Sequence, residues 1–221
     1  MPGDAMAHGP VRNMTWQVVD THRNDDEEIS LSLAPMDDGE ESTPLKKFAP
    51  GLQVRLLITL GAALRQSLVT ANTGSQPFKL RQALHSYFAI SDPEKVGILG
   101  IQDLPYQDRL RDLAVDWQRL PFAFEDVCDR TYLHDAASVQ ANHRYTLNDV
   151  GWHRRLNIDT RGSHSLVVWN PGAQGAAKMV DVPNDGWQQF FCLEVANAGT
   201  DVVTLAPGAQ HILEQTISLE Q

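Results

Sequence analysis

Apolar and polar residues alternate over residues 52–60, and this period of two constrains the fold more than any other feature of the chain. The apolar side chains stand at every second position: Leu52, Val54, Leu56, Ile58 and Leu60. Such alternation is typical of a β-strand with one buried face. A second alternating run, 64–72, follows a turn at Gly61, so the two runs predict an antiparallel hairpin.

Short strand-like runs recur along the rest of the chain, and almost all of them are bounded by Gly, Pro, Asn or Asp. They cover residues 15–20, 29–34, 78–90, 144–149, 154–159, 165–170, 190–197, 201–206 and 210–219. Many strands joined by turn-rich loops predict an all-β fold, an antiparallel sandwich or barrel. Only residues 108–117 fit a short helix. The acidic stretch 37–44 is interpreted as a surface loop between two strands.

Composition and charge limit the class of protein and of partner. A chain of 221 residues is long enough for one large all-β domain, which we expect over residues 1–221. A formal net charge of −10 disfavours nucleic acid as a partner. The longest nearly apolar run, 56–64, is too short to cross a bilayer, and the first residues lack a secretory signal pattern, so we expect a cytoplasmic protein with no membrane partner. Cys128 and Cys192 are expected to be buried, reduced thiols.

Two titratable residues fall inside predicted strands where chemistry is plausible. Strand alternation puts His85 on the same face as Arg81 and Tyr87, and ordinary packing beside Tyr87 is the alternative to a functional role. Glu194 lies in 190–197, which is apolar on both faces. A buried carboxylate must be paired, hydrogen-bonded or raised in pKa, so Glu194 is either functional or bound to an arginine such as Arg65 or Arg81.

A histidine and a glutamate on one concave surface can perform general acid–base catalysis, although sequence spacing does not show that His85 and Glu194 meet. A metal site built from His8, His85 and Glu194 is a weaker alternative, because no HxH, HxxxH or HExxH spacing supports it. A serine hydrolase is also disfavoured, because GxSxG is absent. We therefore rank a metal site and a serine hydrolase low.

Seven short motifs occur in a fixed order from residue 8 onwards. They are HGPVRN (8–13), ALHSYFAI (83–90), GILGIQDLPYQDRL (97–110), DRTY (129–132), LVVWNPG (166–172), FCLEVAN (191–197) and LAPGAQHIL (205–213). In this order they resemble the aldose 1-epimerase superfamily, and within it the hexose-6-phosphate mutarotase (glucose-6-phosphate 1-epimerase) branch. The resemblance implies a galactose mutarotase-like β-supersandwich of antiparallel strands.

The chain departs from this family at its N-terminus. In the family, several dozen residues with an Arg-Gly-Gly-type motif precede the His-Gly-x-x-Arg element, whereas here only MPGDAMA does. The resemblance therefore implies an N-terminally truncated sandwich. Pro10 also stands where the family usually has an aromatic residue.

The resemblance implies that the protein interconverts the α and β anomers of an aldohexose 6-phosphate by opening and reclosing the sugar ring, without metal or cofactor. Glu194 would take the proton of the C1 hydroxyl, and His85 would protonate the ring oxygen. His8 and Arg12 would hold hydroxyls or phosphate, and Asp108 would bind hydroxyls. The alternative is a non-catalytic homologue that binds a sugar phosphate or has a regulatory role. The expected partner is this small molecule, and the expected state is a monomer or homodimer.

Overall fold

Antiparallel β-strands make up most of the structure, as the alternation predicts. The computed structural model describes residues 8–23, 27–36, 43–135 and 142–220. Within these residues the strands are β1 (Trp16–Arg23), β2 (Ile29–Pro35), β3 (Leu52–Leu60), β4 (Leu64–Asn72), β5 (Phe78–Leu80), β6 (Gln82–Ala89), β7 (Val96–Leu99), β8 (Pro105–Asp108), β9 (Ala114–Trp117), β10 (Cys128–Leu133), β11 (Asn142–Asp149), β12 (Arg154–Arg161), β13 (Ser165–Asn170), β14 (Phe190–Asn197), β15 (Val203–Leu205) and β16 (Gln210–Leu219). The helices are short: α1 (Pro44–Phe48), α2 (Gly172–Ala176) and the 3-10 turns Pro10–Asn13, Pro93–Lys95, Arg109–Arg111 and Gly186–Gln189.

The strands form two large sheets and one small one. An eight-stranded sheet has the order β1-β2-β3-β4-β16-β12-β11-β7, and a six-stranded sheet has the order β6-β14-β13-β10-β8-β9. Strands β15 and β5 form the third sheet. The pairings in these sheets are antiparallel. The all-β prediction is confirmed.

Most of the predicted strands are confirmed, and some of them begin and end at the predicted residues. The hairpin pairs Leu52 with Asn72 and Leu60 with Leu64, and the stretches 165–170, 190–197 and 210–219 are strands as predicted. The stretch 78–90 is divided at Arg81 into β5 and β6. Strands β7 to β10 were not predicted.

The helix interpretation of residues 108–117 is wrong. Asp108 caps only a single 3-10 turn, Arg109–Arg111. Asp112 and Leu113 then adopt left-handed backbone angles, with φ of 52° and 62°, which turn the chain back so that β9 pairs with β8. The predicted acidic loop at 37–44 lies mostly outside the described residues, and Pro44 begins α1.

The hydrophobic core lies between the two large sheets. Its largest fully buried apolar side chains are Tyr132, Tyr145, Phe191, Ile98, Ile101, Leu147, Ile158, Leu166, Leu193, Leu213 and Val168. Each such side chain stabilises the fold by about 1.5–3 kcal/mol through the apolar area that it removes from water. Cys128 and Cys192 are free and buried, as predicted. No helix in the described part of the chain is long and apolar enough to cross a membrane.

The two faces of the six-stranded sheet have different roles. Phe191, Leu193 and Val195 of β14 belong to the core, so the alternating side chains of that strand, including Glu194, point to the other face. We call this the site face. Strand register places Trp169 of β13 on the site face as well, because it lies opposite Cys192.

Candidate active site

Strand register brings the two predicted catalytic residues together. His85 on β6 lies directly opposite Glu194 on β14, so the two side chains project from the same face of the sheet. His85 Nε2 is 3.1 Å from Glu194 Oε1. The side-chain partner of Glu194 is therefore His85 rather than Arg65 or Arg81.

Burial changes the protonation of both residues in opposite directions. The Glu194 side chain is 8% exposed and the His85 side chain 22% exposed. Burial, followed by the charge of Asp129, raises the pKa of Glu194 from 4.5 to about 8. Burial, followed by the charge of Arg12, lowers the pKa of His85 from 6.5 to about 4. Near neutral pH the pair thus holds one proton, and these directions place that proton on Glu194.

The HGPVRN segment lies over this pair. The His8 ring is 5.8 Å from the His85 ring, in an edge-on arrangement. Gly9 has a φ of 73°, and the 3-10 turn Pro10–Asn13 begins immediately after it. The turn brings the Arg12 charge close enough to favour the ionised form of Glu194 and the neutral form of His85. Pro10 therefore occupies the first position of a turn, where a fixed φ is readily accommodated.

Aromatic side chains form a wall beside the pair. Tyr87 is stacked on His85, with ring centroids 4.9 Å apart and planes inclined by 16°. Trp169 approaches His85 edge-on at 6.0 Å, and Phe190 contacts Tyr87 at 5.1 Å. Such rings offer apolar faces on which the C–H side of a sugar can pack.

Asp108 is the predicted site residue that the structure does not bring to the others. It lies opposite Arg130, on the face of the sheet directed to the core, and its Oδ2 is 3.7 Å from Arg130 Nε. Its Oδ1 accepts a hydrogen bond from the backbone N–H of Leu110. The Asp108 carboxylate is thus engaged within the protein, away from Glu194.

Asp129 and Arg109 belong to the site, although sequence reasoning did not select them. Asp129 lies opposite Trp169 on the site face, and its charge raises the pKa of Glu194. Arg109 lines a groove together with His85, and its charge lowers the pKa of Glu194. The signal for Asp129 was the DRTY motif. If β10 had been recognised as a strand, the alternation of its side chains would have put Asp129 and Arg130 on opposite faces of the sheet.

A groove of about 910 Å³ opens beside His85. Its polar lining includes His8, Arg12, His85, Tyr87 and Arg109. Its apolar side comes from the inner faces of β3 and β4. A second hollow, of about 700 Å³, lies next to α1 and contains none of the predicted site residues. Among the residues described, no three His, Cys, Asp or Glu side chains are placed to hold a metal ion.

This arrangement supplies a proton donor, a proton acceptor and fixed positive charge close together: His85, Arg12 and Arg109 line the groove, and Glu194 contacts His85. Glu194 and His85 can exchange one proton across their 3.1 Å contact. Arg12 and Arg109 provide guanidinium groups, which are suited to phosphate or hydroxyl oxygens. The site therefore fits proton transfer on a polar small molecule that carries an anionic group.

Several curated proteins are similar to this chain in sequence. It is 29% identical over 197 residues to "Putative glucose-6-phosphate 1-epimerase" of Escherichia coli K12, covering 87% of this chain and 60% of the relative. It is 30% identical over 200 residues to the protein of the same name from Salmonella typhimurium LT2, with the same coverage. The chain thus spans about 60% of the length of these relatives.

Solved structures share the fold. A structure described as a putative mutarotase from Salmonella typhimurium superposes with a TM-score of 0.79 at 24% identity, over 95% of this chain and 66% of that one. A galactose mutarotase-like protein from Clostridium acetobutylicum superposes with a TM-score of 0.68 at 16% identity, over 97% of this chain and 69% of that one. These likenesses confirm the galactose mutarotase-like fold. Residues 2–218 match the family Aldose 1-epimerase, and the chain belongs to that family.

Proposed function

We propose that the protein interconverts the α and β anomers of an aldohexose 6-phosphate by general acid–base catalysis. The observation that carries the proposal is the 3.1 Å contact between His85 Nε2 and Glu194 Oε1 beside an arginine-lined groove. A pair that gives one proton and takes another meets the requirement of ring opening, which moves a proton from the C1 hydroxyl to the ring oxygen without net gain or loss.

In the proposed reaction, the Glu194 carboxylate removes the proton from the C1 hydroxyl while His85 donates a proton to the ring oxygen O5. The electron pair of the O–H bond forms the C1 carbonyl, and the C1–O5 bond breaks with its electrons on O5. Rotation about C1–C2 presents the other carbonyl face. The reverse transfers close the ring as the second anomer and return both side chains to their starting protonation.

The reactive arrangement requires the proton of the pair to lie on His85. Burial places it on Glu194 when the groove is empty. A sugar hydroxyl donating to Glu194, and a ring oxygen accepting from His85, favour the charged forms of both residues, so substrate binding shifts the proton across the 3.1 Å contact.

The positive groups of the groove support an anionic substrate. Arg12 and Arg109 line it, and guanidinium groups bind phosphate through two parallel hydrogen bonds. Asp129, rather than Asp108, is the carboxylate that we propose to accept from sugar hydroxyls, because it lies on the site face near Glu194. The names of the E. coli and Salmonella relatives support the 6-phosphate.

Polarimetry or NMR exchange with α-glucose 6-phosphate tests the proposal. We expect anomer equilibration to be faster than in buffer, and Glu194→Gln to slow the catalysed rate by about 10²- to 10⁴-fold because one proton transfer is lost. Glu220→Gln is the matched control, since Glu220 is exposed and paired with Arg155. Equilibration at the rate of buffer alone, or a rate unchanged by Glu194→Gln, rejects the proposal.

The order of the two pKa values supports a second candidate, a protein that binds a sugar phosphate without converting it. With its pKa raised to about 8, Glu194 is protonated in the empty site at neutral pH and is a poor base in that form. Calorimetric binding of glucose 6-phosphate with no acceleration of its equilibration would select this candidate. Measurable turnover would exclude it.

A further inference from the structure

We propose that Tyr87 is the positioning residue of the site: its ring fixes and shields the His85 imidazole, while its hydroxyl anchors Arg12. This inference rests on the proposed function and deepens it. Tyr87 then influences both the protonation of His85, which is the proton donor, and the position of Arg12, which binds the anionic group.

The ring of Tyr87 is itself held in place. Tyr87 and His85 are two residues apart on β6, so they share a face, and their rings are stacked at 4.9 Å with a tilt of 16°. Phe190 contacts the Tyr87 ring at 5.1 Å, and Trp169 meets it edge-on at 6.3 Å. The phenol ring therefore has little freedom to move away from the imidazole.

Burial raises the pKa of Tyr87, and the Arg12 guanidinium, which lines the same groove, is close enough to the hydroxyl to oppose that rise. The hydroxyl is thus placed to accept a hydrogen bond from Arg12. The 3-10 turn Pro10–Asn13 that carries Arg12 contains no buried residue. The turn is tied to the sheets through Trp16, whose Nε1–H donates to the Val11 carbonyl at 3.0 Å. That bond fixes the backbone of the turn, whereas Tyr87 directs the guanidinium. Losing the hydroxyl should therefore loosen Arg12 and leave the fold intact.

The stack also controls how water reaches His85. The titratable and charged groups that face His85 are Glu194 from β14, His8 and Arg12 from the N-terminal segment, and Tyr87 from its own strand. Tyr87 covers one face of the imidazole and contributes to its desolvation, the largest cause that disfavours the charged form. Removing the ring should hydrate His85 and raise its pKa toward the usual value.

Two substitutions separate the two effects. Tyr87→Phe keeps the stacked ring and removes the hydroxyl, so we expect the KM for glucose 6-phosphate to rise about three- to tenfold, with kcat within about twofold of the wild type. Tyr87→Leu removes both groups, so kcat should fall as well. Tyr87 is 47% exposed, which favours correct folding of both variants. Thermal melting verifies that they fold.

Two further measurements do not depend on turnover. In an NMR titration, His85 should have the same pKa in the wild type and Tyr87→Phe, and a higher one in Tyr87→Leu. Calorimetry with inorganic phosphate should show weaker binding in both variants. An unchanged His85 titration in Tyr87→Leu, or unchanged phosphate affinity in Tyr87→Phe, overturns the inference. A wild-type protein without turnover contradicts the proposed function instead, and these two measurements still decide the role of Tyr87. If Tyr87→Leu does not fold, Tyr87→Phe alone decides it.

Discussion

At the residue scale, His85 and Glu194 are best treated as one titrating unit. Their side chains are 3.1 Å apart, so the protonation of one changes the pKa of the other, and the apparent pKa values of a titration belong to the pair. Catalysis requires exactly one proton on this unit, because an unprotonated pair has no donor and a doubly protonated pair has no acceptor.

This requirement predicts a bell-shaped pH–rate profile for anomer equilibration. The pKa of His85 is lowered to about 4, so the pair gains its second proton and loses activity only as the pH falls toward 4. The pKa of Glu194 is raised to about 8, so the pair loses its last proton, and its activity, as the pH rises through 8. Equilibration rates in non-catalytic buffers check this, after the buffer rate is subtracted. A loss of activity at pH 6.5, where free histidine titrates, would contradict the assignment.

One substitution tests whether Glu194 produces the loss of activity at high pH, which is the basic limb of the pH–rate profile. The Asp129 charge is the second cause, after burial, that raises the pKa of Glu194, so Asp129→Asn should move the basic limb to lower pH as well as weaken sugar binding. Asp126→Asn is the matched control, because Asp126 is an exposed acidic residue three positions earlier. A basic limb unmoved by Asp129→Asn would mean that another group produces it.

Sequence reasoning identified the chemistry of this unit but not its geometry. The strand pattern around Glu194 places a carboxylate among apolar residues, and this anomaly is visible in the sequence alone. The contact between Glu194 and His85 was not, because the strand pairing that places the two residues opposite each other depends on long-range register. The same limit explains Asp108: the motif pointed to an acidic residue, but only the pairing with Arg130 shows that it faces the core.

At the element scale, a strand is recognised most readily from the sequence where its alternating pattern runs over many residues. Strand β3 alternates in burial from Leu52 to Ile58, and its bounds match the predicted run 52–60. Strands β7, β8 and β9 have only four residues each, which is too short for a period of two to emerge. The turn before β9 depends on left-handed angles at Asp112 and Leu113, which residue preferences do not predict for a leucine.

The turn between β12 and β13 gives a test at this scale. Gly162 has a φ of +78°, and a Cβ there would overlap the carbonyl oxygen of Ile212. Gly162→Ala should therefore lower the free energy of unfolding by about 2 kcal/mol or more, the left-handed backbone alone accounting for about 1–2 kcal/mol. Gly208→Ala is the matched control, because its φ is +76° but a Cβ would meet nothing. Denaturant unfolding of both variants checks this. Equal losses would show that the overlap with Ile212 has no effect on stability.

At the scale of the whole molecule, the two large sheets differ in width, and an inner strand of one is much more buried than an edge strand of the other. Strand β14, in the six-stranded sheet, is buried at every residue after Phe190, whereas β1, at the edge of the eight-stranded sheet, is exposed at every residue after Trp16. Backbone opening should follow this gradient, because exposed edge strands open with little loss of packing. The site lies on the well-packed β14, which holds Glu194 in place.

A group of histidines away from the site makes the whole fold sensitive to acid. His134 and His143 are stacked at 3.5 Å with nearly parallel planes, and the His164 ring is 5.9 Å from His143. Burial lowers the pKa of His134 to about 4 and also lowers that of His143, with the charge of His164 adding to both effects. Tyr145 and Asp201 are further titratable groups near these rings.

The sign of the effect follows from proton binding. Between pH 6.5 and 4 the unfolded chain binds a proton at His134 and the folded chain does not, and His143 acts in the same direction. This contribution to stability is therefore complete above pH 6.5 and is lost as the pH falls toward 4. Glu194 acts in the opposite direction, since its raised pKa stabilises the fold as the pH falls from 8 toward 4.5. The histidine contribution must therefore be isolated by substitution.

We expect the double variant His134→Gln, His143→Gln to have a flatter dependence of Tm on pH between 6.5 and 4 than the wild type, by a few degrees over that interval. The slope is the quantity to compare, because the loss of the stacked rings lowers Tm at every pH. His153→Asn is the control, since His153 is exposed in a turn with a φ of 50° that asparagine tolerates. Calorimetric melting of the three proteins at several pH values decides: equal slopes for the double variant and the wild type would place the acid sensitivity outside this histidine group.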